Sequence, residues 1–182
     1  MTVKLLVLDF NGVLDSNMVY VMPDGSEAVR CYRGDGVGIA RLRALSIPTV
    51  VISQETAPVV GLRCAKLGIA CHQGVADKLA QLTLVAAAYG VQLDEIAYVG
   101  NDVNDLACLT AVGFPFVVAD AEPELHAALP LGPLSTNGYL TRRKGGEGAV
   151  REVCELIAKR EARGRDLSRT VSNGGDGVVW SP

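Results

Sequence analysis

Three short polar runs and one lysine carry the side chains of this sequence that could do chemistry. The runs are Asp9-Phe10-Asn11-Gly12, Ser53-Gln54-Glu55 and Gly100-Asn101-Asp102-Val103-Asn104-Asp105, and the lysine is Lys78. Each run directly follows an apolar stretch that has the pattern of a buried strand. Together they supply carboxylates, one hydroxyl and one ammonium group. Such a set could hold and attack an anionic phosphoryl group.

A carboxylate that attacks phosphorus needs three kinds of help. A divalent cation must offset the repulsion between the two anions, and Asp and Asn oxygens are ligands that suit Mg²⁺. Donors such as Ser53 and Lys78 must hold the phosphoryl oxygens. An acid must protonate the leaving alkoxide. Asp9, at the end of the first apolar run, is the candidate nucleophile, and the acid is the part that the sequence supplies least clearly.

Strand and helix patterns alternate along the chain, which predicts an α/β fold with a doubly wound, mainly parallel sheet. Ligands of such folds bind beyond the carboxyl ends of the strands, so the polar runs share one rim. The predicted strands are Val3–Leu8, Pro48–Ser53, Ile69–His72, Ile96–Val99 and Pro115–Val118. The predicted helices are Val37–Leu45, Pro58–Leu67, Val75–Tyr89, Asn104–Ala111, Pro123–Leu129 and Gly146–Arg160.

Two segments break this alternation. Pro23-Asp24-Gly25-Ser26 separates the β-prone runs Met18–Val21 and Ala28–Tyr32, which predicts a β-hairpin where a helix would normally follow the first strand. Residues 164–182 are polar, glycine-rich and aperiodic, which predicts a flexible C-terminal tail over residues 163–182. Residues 1–162 are long enough for one domain with its own core.

Composition narrows the class of partner. A formal net charge of −3 over 182 residues gives no reason to expect a nucleic acid or an anionic membrane as partner. The five cysteines lack C-x-x-C spacing, which disfavours a disulfide framework and a zinc site. The sequence has neither a signal-peptide pattern nor an apolar stretch of membrane-spanning length. We therefore expect a cytoplasmic protein that acts on a small molecule.

In order and position, the polar runs resemble the four motifs of the haloacid dehalogenase-type phosphatases. Asp9-x-Asn11-Gly12 resembles the first motif, D-x-D-G, Ser53 the second, Lys78 the third, and Gly100-Asn101-Asp102-x-x-Asp105 the fourth, G-D-D-x-x-D. The resemblance implies a Rossmann-like core, Mg²⁺ as cofactor, and an aspartyl-phosphate formed on Asp9. It implies that the catalytic residues are Asp9, Asn11, Ser53 and Lys78, and that the metal ligands come from Asp9, the carbonyl of Asn11, Asn101, Asp102 and Asp105. Which of the last three binds metal stays open.

A subgroup resemblance rests on the hairpin and three further segments. The segments are Arg33-Gly34-Asp35-Gly36, Gln73-Gly74 and Gly145-Gly146-Glu147-Gly148-Ala149-Val150-Arg151-Glu152. Over residues 3–160 the chain is similar to 3-deoxy-manno-octulosonate 8-phosphate and 2-keto-3-deoxynononate 9-phosphate phosphatases. This implies no cap domain and a homotetramer in which hairpin 18–32 closes a neighbouring site.

The same subgroup implies a phosphorylated 2-keto-3-deoxy sugar acid as substrate. Octulosonate enzymes tend to carry Arg at the position of Glu55, whereas nononate enzymes carry Glu, so the nine-carbon acid is favoured over the eight-carbon acid. The candidate substrate-binding residues are Gly12, Gln54, Glu55, Arg63 and Asp35.

Two positions depart from the family pattern. Asn11 replaces the aspartate that protonates the leaving group and later activates water, and an amide cannot exchange protons in that way. Asn101 replaces a usual metal ligand with a neutral one, so we expect weaker metal binding. Three interpretations stay open: a natural phosphatase that is slow or uses Asp15 or a substrate group as its acid, a catalytically silent domain for assembly or ligand binding like those fused to sialic-acid cytidylyltransferases, or an Asn11 introduced to trap substrate.

Overall fold

The computed structural model describes residues 2–129 and 138–172, with side chains as far as residue 163. Its eight strands are β1 Leu5–Leu8, β2 Asp15–Val21, β3 Glu27–Cys31, β4 Thr49–Ile52, β5 Ala70–His72, β6 Ile96–Gly100, β7 Phe114–Val117 and β8 Tyr139–Leu140. Six of them form one parallel sheet in the order β5-β4-β1-β6-β7-β8. The strand order reverses between β1 and β6, which places a crevice at their carboxyl ends. The predicted α/β fold is confirmed.

Six α-helices accompany the sheet in the described part of the chain. They are α1 Arg33–Ala44, α2 Pro58–Leu67, α3 Lys78–Tyr89, α4 Leu106–Ala111, α5 Pro123–Ala128 and α6 Ala149–Ser172, with 3₁₀ turns at Leu93–Glu95 and Val103–Asp105. The α3 helix begins at Lys78 rather than at Val75, because the Asp77 side chain caps it by accepting the Ala80 N–H at 3.0 Å. The α1 helix begins earlier than predicted, at Arg33.

The predicted hairpin is confirmed as a separate two-stranded sheet of β2 and β3. Its pairing is irregular between Asp15 and Val19, where Asn17 has a φ of 58°. Because that backbone conformation is unusual for a residue with a Cβ atom, the chain bends sharply as it leaves the loop after β1. The hairpin therefore rises from the rim of the main sheet instead of extending it.

The core lies between the sheet and its helices. The strands β1, β4 and β6 are buried along their whole length, as the continuous apolar runs predict. On one side α1 crosses α6 closely, since a Cβ atom at Gly38 would lie 2.9 Å from the Cβ of Cys154. This close crossing packs α6 directly against α1.

The C-terminal part differs from the sequence prediction. The α6 helix begins at Ala149, after Gly146 and Gly148 with positive φ, and runs to Ser172, so it extends beyond the predicted helix end at Arg160, and the flexibility of the tail over residues 163–182 stays a prediction. Residues 173–182 of the predicted tail lie outside the described residues. Within the described part of the chain, none of the helices is long and apolar enough to cross a membrane.

Candidate active site

Asp9 lies at the carboxyl end of β1, at the floor of a cavity of about 460 Å³. Its backbone N–H donates to the carbonyl of Val99 at 3.0 Å, so the β1–β6 pairing continues to the rim and fixes the residue. Only 5% of Asp9 is exposed. The cavity is lined by Asp9, Asn11, Asp15, Asn17, Met18, Val19, Glu27, Val29, Ser53, Gln54, Glu55, Ala57, Val59, Lys78, Asn101, Asp102 and Asn104.

Lys78 is held between two carboxylates. Its Nζ lies 2.9 Å from Asp9 Oδ2 and 2.8 Å from Asp105 Oδ1. Asp105 also accepts the Tyr98 hydroxyl at 2.7 Å and the Asn101 N–H at 3.0 Å. Asp105 is fully buried and is not among the residues that line the cavity. Its role in the structure is to hold Lys78 in position from the interior side, away from the cavity.

Burial sets the charge balance of this group. Burial and, to a smaller extent, the charge of Asp105 raise the pKa of Asp9, Lys78 lowers it, and the net result is a pKa of about 7. Burial by itself would lower the pKa of Lys78, but Asp9 and Asp105 together keep it above its ordinary value. Two carboxylates thus share one ammonium group in a region of low dielectric. A further cation beside Asp9 would relieve the excess negative charge.

An unpaired amide oxygen shows where such a cation would fit. Asn101 Oδ1 is buried and has no hydrogen-bond partner, which is costly unless a ligand meets it. Asp9, Asn11 and Asp102 line the same cavity and offer the oxygen donors that Mg²⁺ prefers. In the described part of the chain, no group of three His, Cys, Asp or Glu side chains could hold a metal by itself. A metal held beside Asp9 would therefore need amide or carbonyl oxygens among its ligands.

The loop after β1 brings Asn11 against Asp15. Asn11 Nδ2 donates to Asp15 Oδ2 at 3.0 Å, while the backbone N–H groups of Gly12 and Asn17 donate to Asp15 Oδ1 at 2.8 Å each. Burial raises the pKa of Asp15 against the effect of these hydrogen bonds. Gly12 has a φ of 73°, and a Cβ atom there would collide with the Asn101 side chain. Gly12 thus lies behind the cavity and allows Asn101 to approach.

The end of β4 supplies a hydroxyl and a carboxylate. Ser53 is almost fully buried, and its Oγ accepts the Glu55 N–H at 3.2 Å, which leaves its O–H free to donate into the cavity. Glu55 Oε1 accepts the N–H groups of Thr56 and Ala57 at 2.6 and 2.9 Å. Gln54 Oε1 accepts the Asn104 side chain at 2.8 Å. These bonds join the second and fourth polar runs at the rim.

Besides Gly12, two predicted substrate-binding residues lie away from the cavity lining. Arg63 Nη2 donates to the carbonyl of Tyr32 at 3.2 Å, at the base of the hairpin. Asp35 is fully buried and accepts the Arg151 N–H at 2.9 Å, so it holds the first turn of α6. Burial raises the pKa of Asp35 to about 6 despite nearby arginines. The structure does not bring either side chain to Asp9.

The sequence did not predict the structural roles of Tyr98 and of residues 145–148. The hydroxyl of Tyr98 within an otherwise apolar strand is a signal that could have been recognised in the sequence, because a buried hydroxyl needs a hydrogen-bond partner. A Cβ atom at Gly145 would collide with the Gly12 carbonyl, and one at Gly146 with the backbone of Asp15. The glycines therefore let this run pack directly behind the loop that carries Asn11.

Comparisons with known proteins agree with this geometry. A model of the haloacid dehalogenase-like hydrolases matches residues 71–132. The 3-deoxy-D-manno-octulosonate 8-phosphate phosphatase of Escherichia coli K12 is 35% identical over 156 residues, which are 85% of this chain and 79% of that protein. The enzyme of that name from Yersinia pestis has a TM-score of 0.79 at 34% identity, covering 89% of this chain and 85% of its own. The one from Moraxella catarrhalis, in complex with magnesium, phosphate and KDO, has a TM-score of 0.80 at 31% identity, covering 93% of both chains.

Proposed function

The chain belongs to the haloacid dehalogenase superfamily, in the subgroup of the 3-deoxy-D-manno-octulosonate 8-phosphate phosphatases, and from this premise we propose its reaction. It is a magnesium-dependent phosphomonoesterase that cleaves a phosphorylated 2-keto-3-deoxy sugar acid through an aspartyl-phosphate on Asp9. The observation that carries the proposal is the buried Asp9 carboxylate, held 2.9 Å from Lys78 beside the unpaired oxygen of Asn101.

In the first half-reaction an Asp9 oxygen forms a bond to phosphorus and the bond to the sugar alkoxide breaks. Lys78 lowers the pKa of Asp9 and so favours its ionised form, and the Ser53 hydroxyl and Lys78 hold the phosphoryl oxygens. Asp9, the carbonyl of Asn11, Asn101 and Asp102 would hold Mg²⁺, which neutralises phosphoryl charge when it is bound. The alkoxide takes its proton from solvent or from the substrate, since Asn11 has none to give.

In the second half-reaction water attacks phosphorus and Asp9 leaves as a carboxylate. Relatives that follow the D-x-D-G pattern have a carboxylate at position 11 for this step, whereas this chain has an amide. Loss of a general acid or base lowers rates by about 10²–10⁴-fold. We therefore place this chain among slow phosphatases rather than among silent domains, because the nucleophile, the ammonium group and the hydroxyl are all in place.

Within the subgroup we favour a nine-carbon substrate over an eight-carbon one. Glu55 lines the cavity, and its Oε2 remains available while Oε1 accepts the N–H groups of Thr56 and Ala57. The preference is tested with Glu55→Arg, using Glu124→Arg on α5 as a control with the same charge change. Glu55→Arg should lower the ratio of kcat/KM for the nononate 9-phosphate to that for the octulosonate 8-phosphate by about tenfold. An unchanged ratio would contradict the preference.

We also propose a homotetramer in which the hairpin covers a neighbouring site. Five consecutive hairpin residues, Met18 to Met22, are apolar and between 44% and 69% exposed, which is unusual unless a partner covers them. Light scattering should give the mass of a tetramer for the unaltered chain and a smaller mass for Met18→Ser/Tyr20→Ser. The matched control, Leu62→Ser/Leu84→Ser, alters exposed leucines of α2 and α3 and should stay tetrameric. A monomeric parent would contradict the proposal.

We keep the cytoplasm as the proposed location. The five cysteines are free thiols, as expected in a reducing compartment.

Phosphate release tests the proposed function. The substrates are octulosonate 8-phosphate, nononate 9-phosphate and an unrelated sugar phosphate, each with Mg²⁺ and with a chelator. We expect slow release from a sugar acid phosphate that needs Mg²⁺ and disappears in Asp9→Asn. No release above the Asp9→Asn blank by the unaltered chain, by Asn11→Asp and by Asn11→Asp/Asp15→Asn would overturn the enzymatic function and favour a binding or assembly role.

A further inference from the structure

Asp15 dictates which way the Asn11 amide faces. A carboxylate can only accept hydrogen bonds, so the Asn11 group at 3.0 Å from Asp15 Oδ2 must be the NH₂ group. The amide oxygen, on the other branch of the same planar group, is then turned away from Asp15. This assignment follows from the chemistry of the partner and not from a choice between two equivalent orientations.

Asp15 is itself fixed from several directions. Its other oxygen accepts two backbone N–H groups, from Gly12 and Asn17, at 2.8 Å each. The residue is fully buried at the start of β2 and pairs with Cys31. Gly146 packs against its backbone so closely that a Cβ atom there would collide. A carboxylate held in this way can fix the orientation of the side chain that it binds, which here is the Asn11 amide.

The amide oxygen of Asn11 is therefore turned away from Asp15, on a side chain that lines the same cavity as Asp9. Asn11 is half-buried and lines the cavity two residues from Asp9. An amide oxygen accepts a hydrogen bond from water and can aim it, as a glutamine does for the attacking water in some GTPases. It cannot remove the proton.

We propose that Asp15 is a positioning residue for the second half-reaction: through the Asn11 amide it aims the water that hydrolyses the aspartyl-phosphate. This inference rests on the proposed function. The water oxygen forms a bond to phosphorus while the bond from phosphorus to Asp9 breaks and returns the carboxylate. One water proton passes to a phosphoryl oxygen and leaves with inorganic phosphate, so no separate base is required.

The hydrogen bond between Asn11 and Asp15 also explains why the single substitution Asn11→Asp is not expected to give a fast enzyme. In Asn11→Asp a second carboxylate would face Asp15 at about 3 Å, where like charges repel. In Asn11→Asp/Asp15→Asn the amide and the carboxylate exchange places, so the hydrogen bond can form again with a carboxylate toward the cavity. Asn11 and Asp15 thus behave as a matched pair.

The experiment separates the two half-reactions. Single turnovers with Mg²⁺ and nononate 9-phosphate or octulosonate 8-phosphate are quenched in acid, and phosphoenzyme formation and decay are measured. For Asp15→Asn we expect formation within about twofold of the parent and decay slowed by about 10–100-fold, the cost of a misplaced reactant. Asn11→Asp should also decay slowly, whereas the exchanged pair should decay at least as fast as the parent. Asp24→Asn, in the exposed hairpin turn, is the control.

A second variant guards against misfolding of Asp15→Asn, whose single remaining oxygen must accept the N–H groups of both Gly12 and Asn17. Asn11→Ala leaves Asp15 and its backbone bonds in place, and it should slow decay to the same extent without affecting formation. Decay at the parent rate in Asn11→Ala, or an exchanged pair no faster than Asn11→Asp, would overturn the inference alone. Absence of any phosphoenzyme in the unaltered chain would overturn the proposed function and the inference with it.

Discussion

Asp9 and Asn11 lie two residues apart in one loop, but their surroundings differ. Around Asp9, Lys78, Asp105 and Tyr98 form a buried network with charges of both signs. Around Asn11 the partner is Asp15, whose other bonds come from backbone N–H groups. The surroundings of Asp9 retain the residues that the proposed nucleophile needs, whereas position 11 has an amide in place of the carboxylate that would exchange protons. In the proposed reaction the nucleophile is therefore preserved, whereas proton transfer to the leaving group and from the attacking water is the altered part.

The largest effect should come from the nucleophile itself. Asp9→Asn should lower kcat by at least about 10⁴-fold, as losses of nucleophiles do. Its stability should change little, because Lys78 keeps Asp105 as a partner. Phosphate release and the midpoint of thermal unfolding measure the two effects. An Asp9→Asn variant that kept more than about a tenth of the parent activity would show that Asp9 is not the nucleophile and would remove the contrast between Asp9 and Asn11.

Lys78→Met should be the most destabilising change in the network. It leaves the buried carboxylates of Asp9 and Asp105 without their shared cation, and breaking such a pair costs about 3–5 kcal/mol. Urea unfolding measures the loss, with Lys66→Met on the exposed part of α2 as control. If the two variants were equally stable, the charge network would not be the element that stabilises the site.

Asp35 serves as a reference, since it is buried like Asp15 but lies away from the cavity. Burial raises its pKa from 3.8 to about 6, so the folded state binds its proton more tightly than the unfolded state. Stability from this group is present at low pH and is lost as pH rises from about 4 to about 6. One pKa unit corresponds to about 1.4 kcal/mol, so the loss is at most about 3 kcal/mol.

The comparison of the parent with Asp35→Asn isolates that loss. Asn keeps an oxygen for the Arg151 N–H and removes the buried charge. The stability of Asp35→Asn relative to the parent should rise between pH 4 and pH 6 and stay constant above. A difference that falls over this range, measured by urea unfolding at each pH, would show that the arginines outweigh burial.

Tyr98→Phe should have a smaller effect that reaches the site through Asp105. It removes a 2.7 Å hydrogen bond to a buried carboxylate, which costs about 1–3 kcal/mol. Lys78 should then lie closer to Asp105 and hold Asp9 less firmly, so kcat should fall while KM changes little. Tyr89→Phe, at the exposed end of α3, is the control. Equal stability of the two variants would exclude a role for the Tyr98 hydroxyl.

The sequence predicted the sheet, the hairpin and the meeting of Asp9, Ser53, Lys78 and Asn101, because strand patterns and motif order fix which residues reach the rim. It did not predict β8, a strand of two residues that has no periodicity. Nor did it reveal that Asp105 turns below the cavity or that Asn11 binds Asp15. Those contacts depend on side-chain rotamers and on close backbone approach at glycines, which a pattern of residue types does not contain.

Trapping the phosphoenzyme tests the central claim most directly. The unaltered chain is mixed with Mg²⁺ and the sugar acid phosphate that it hydrolyses fastest, quenched, and reduced with borohydride, which converts an acyl phosphate on aspartate to homoserine. Peptide mass spectrometry should find homoserine at position 9, and more of it in Asp15→Asn. Turnover without modification at position 9, or with modification at another carboxylate, would contradict the assignment of Asp9 as nucleophile.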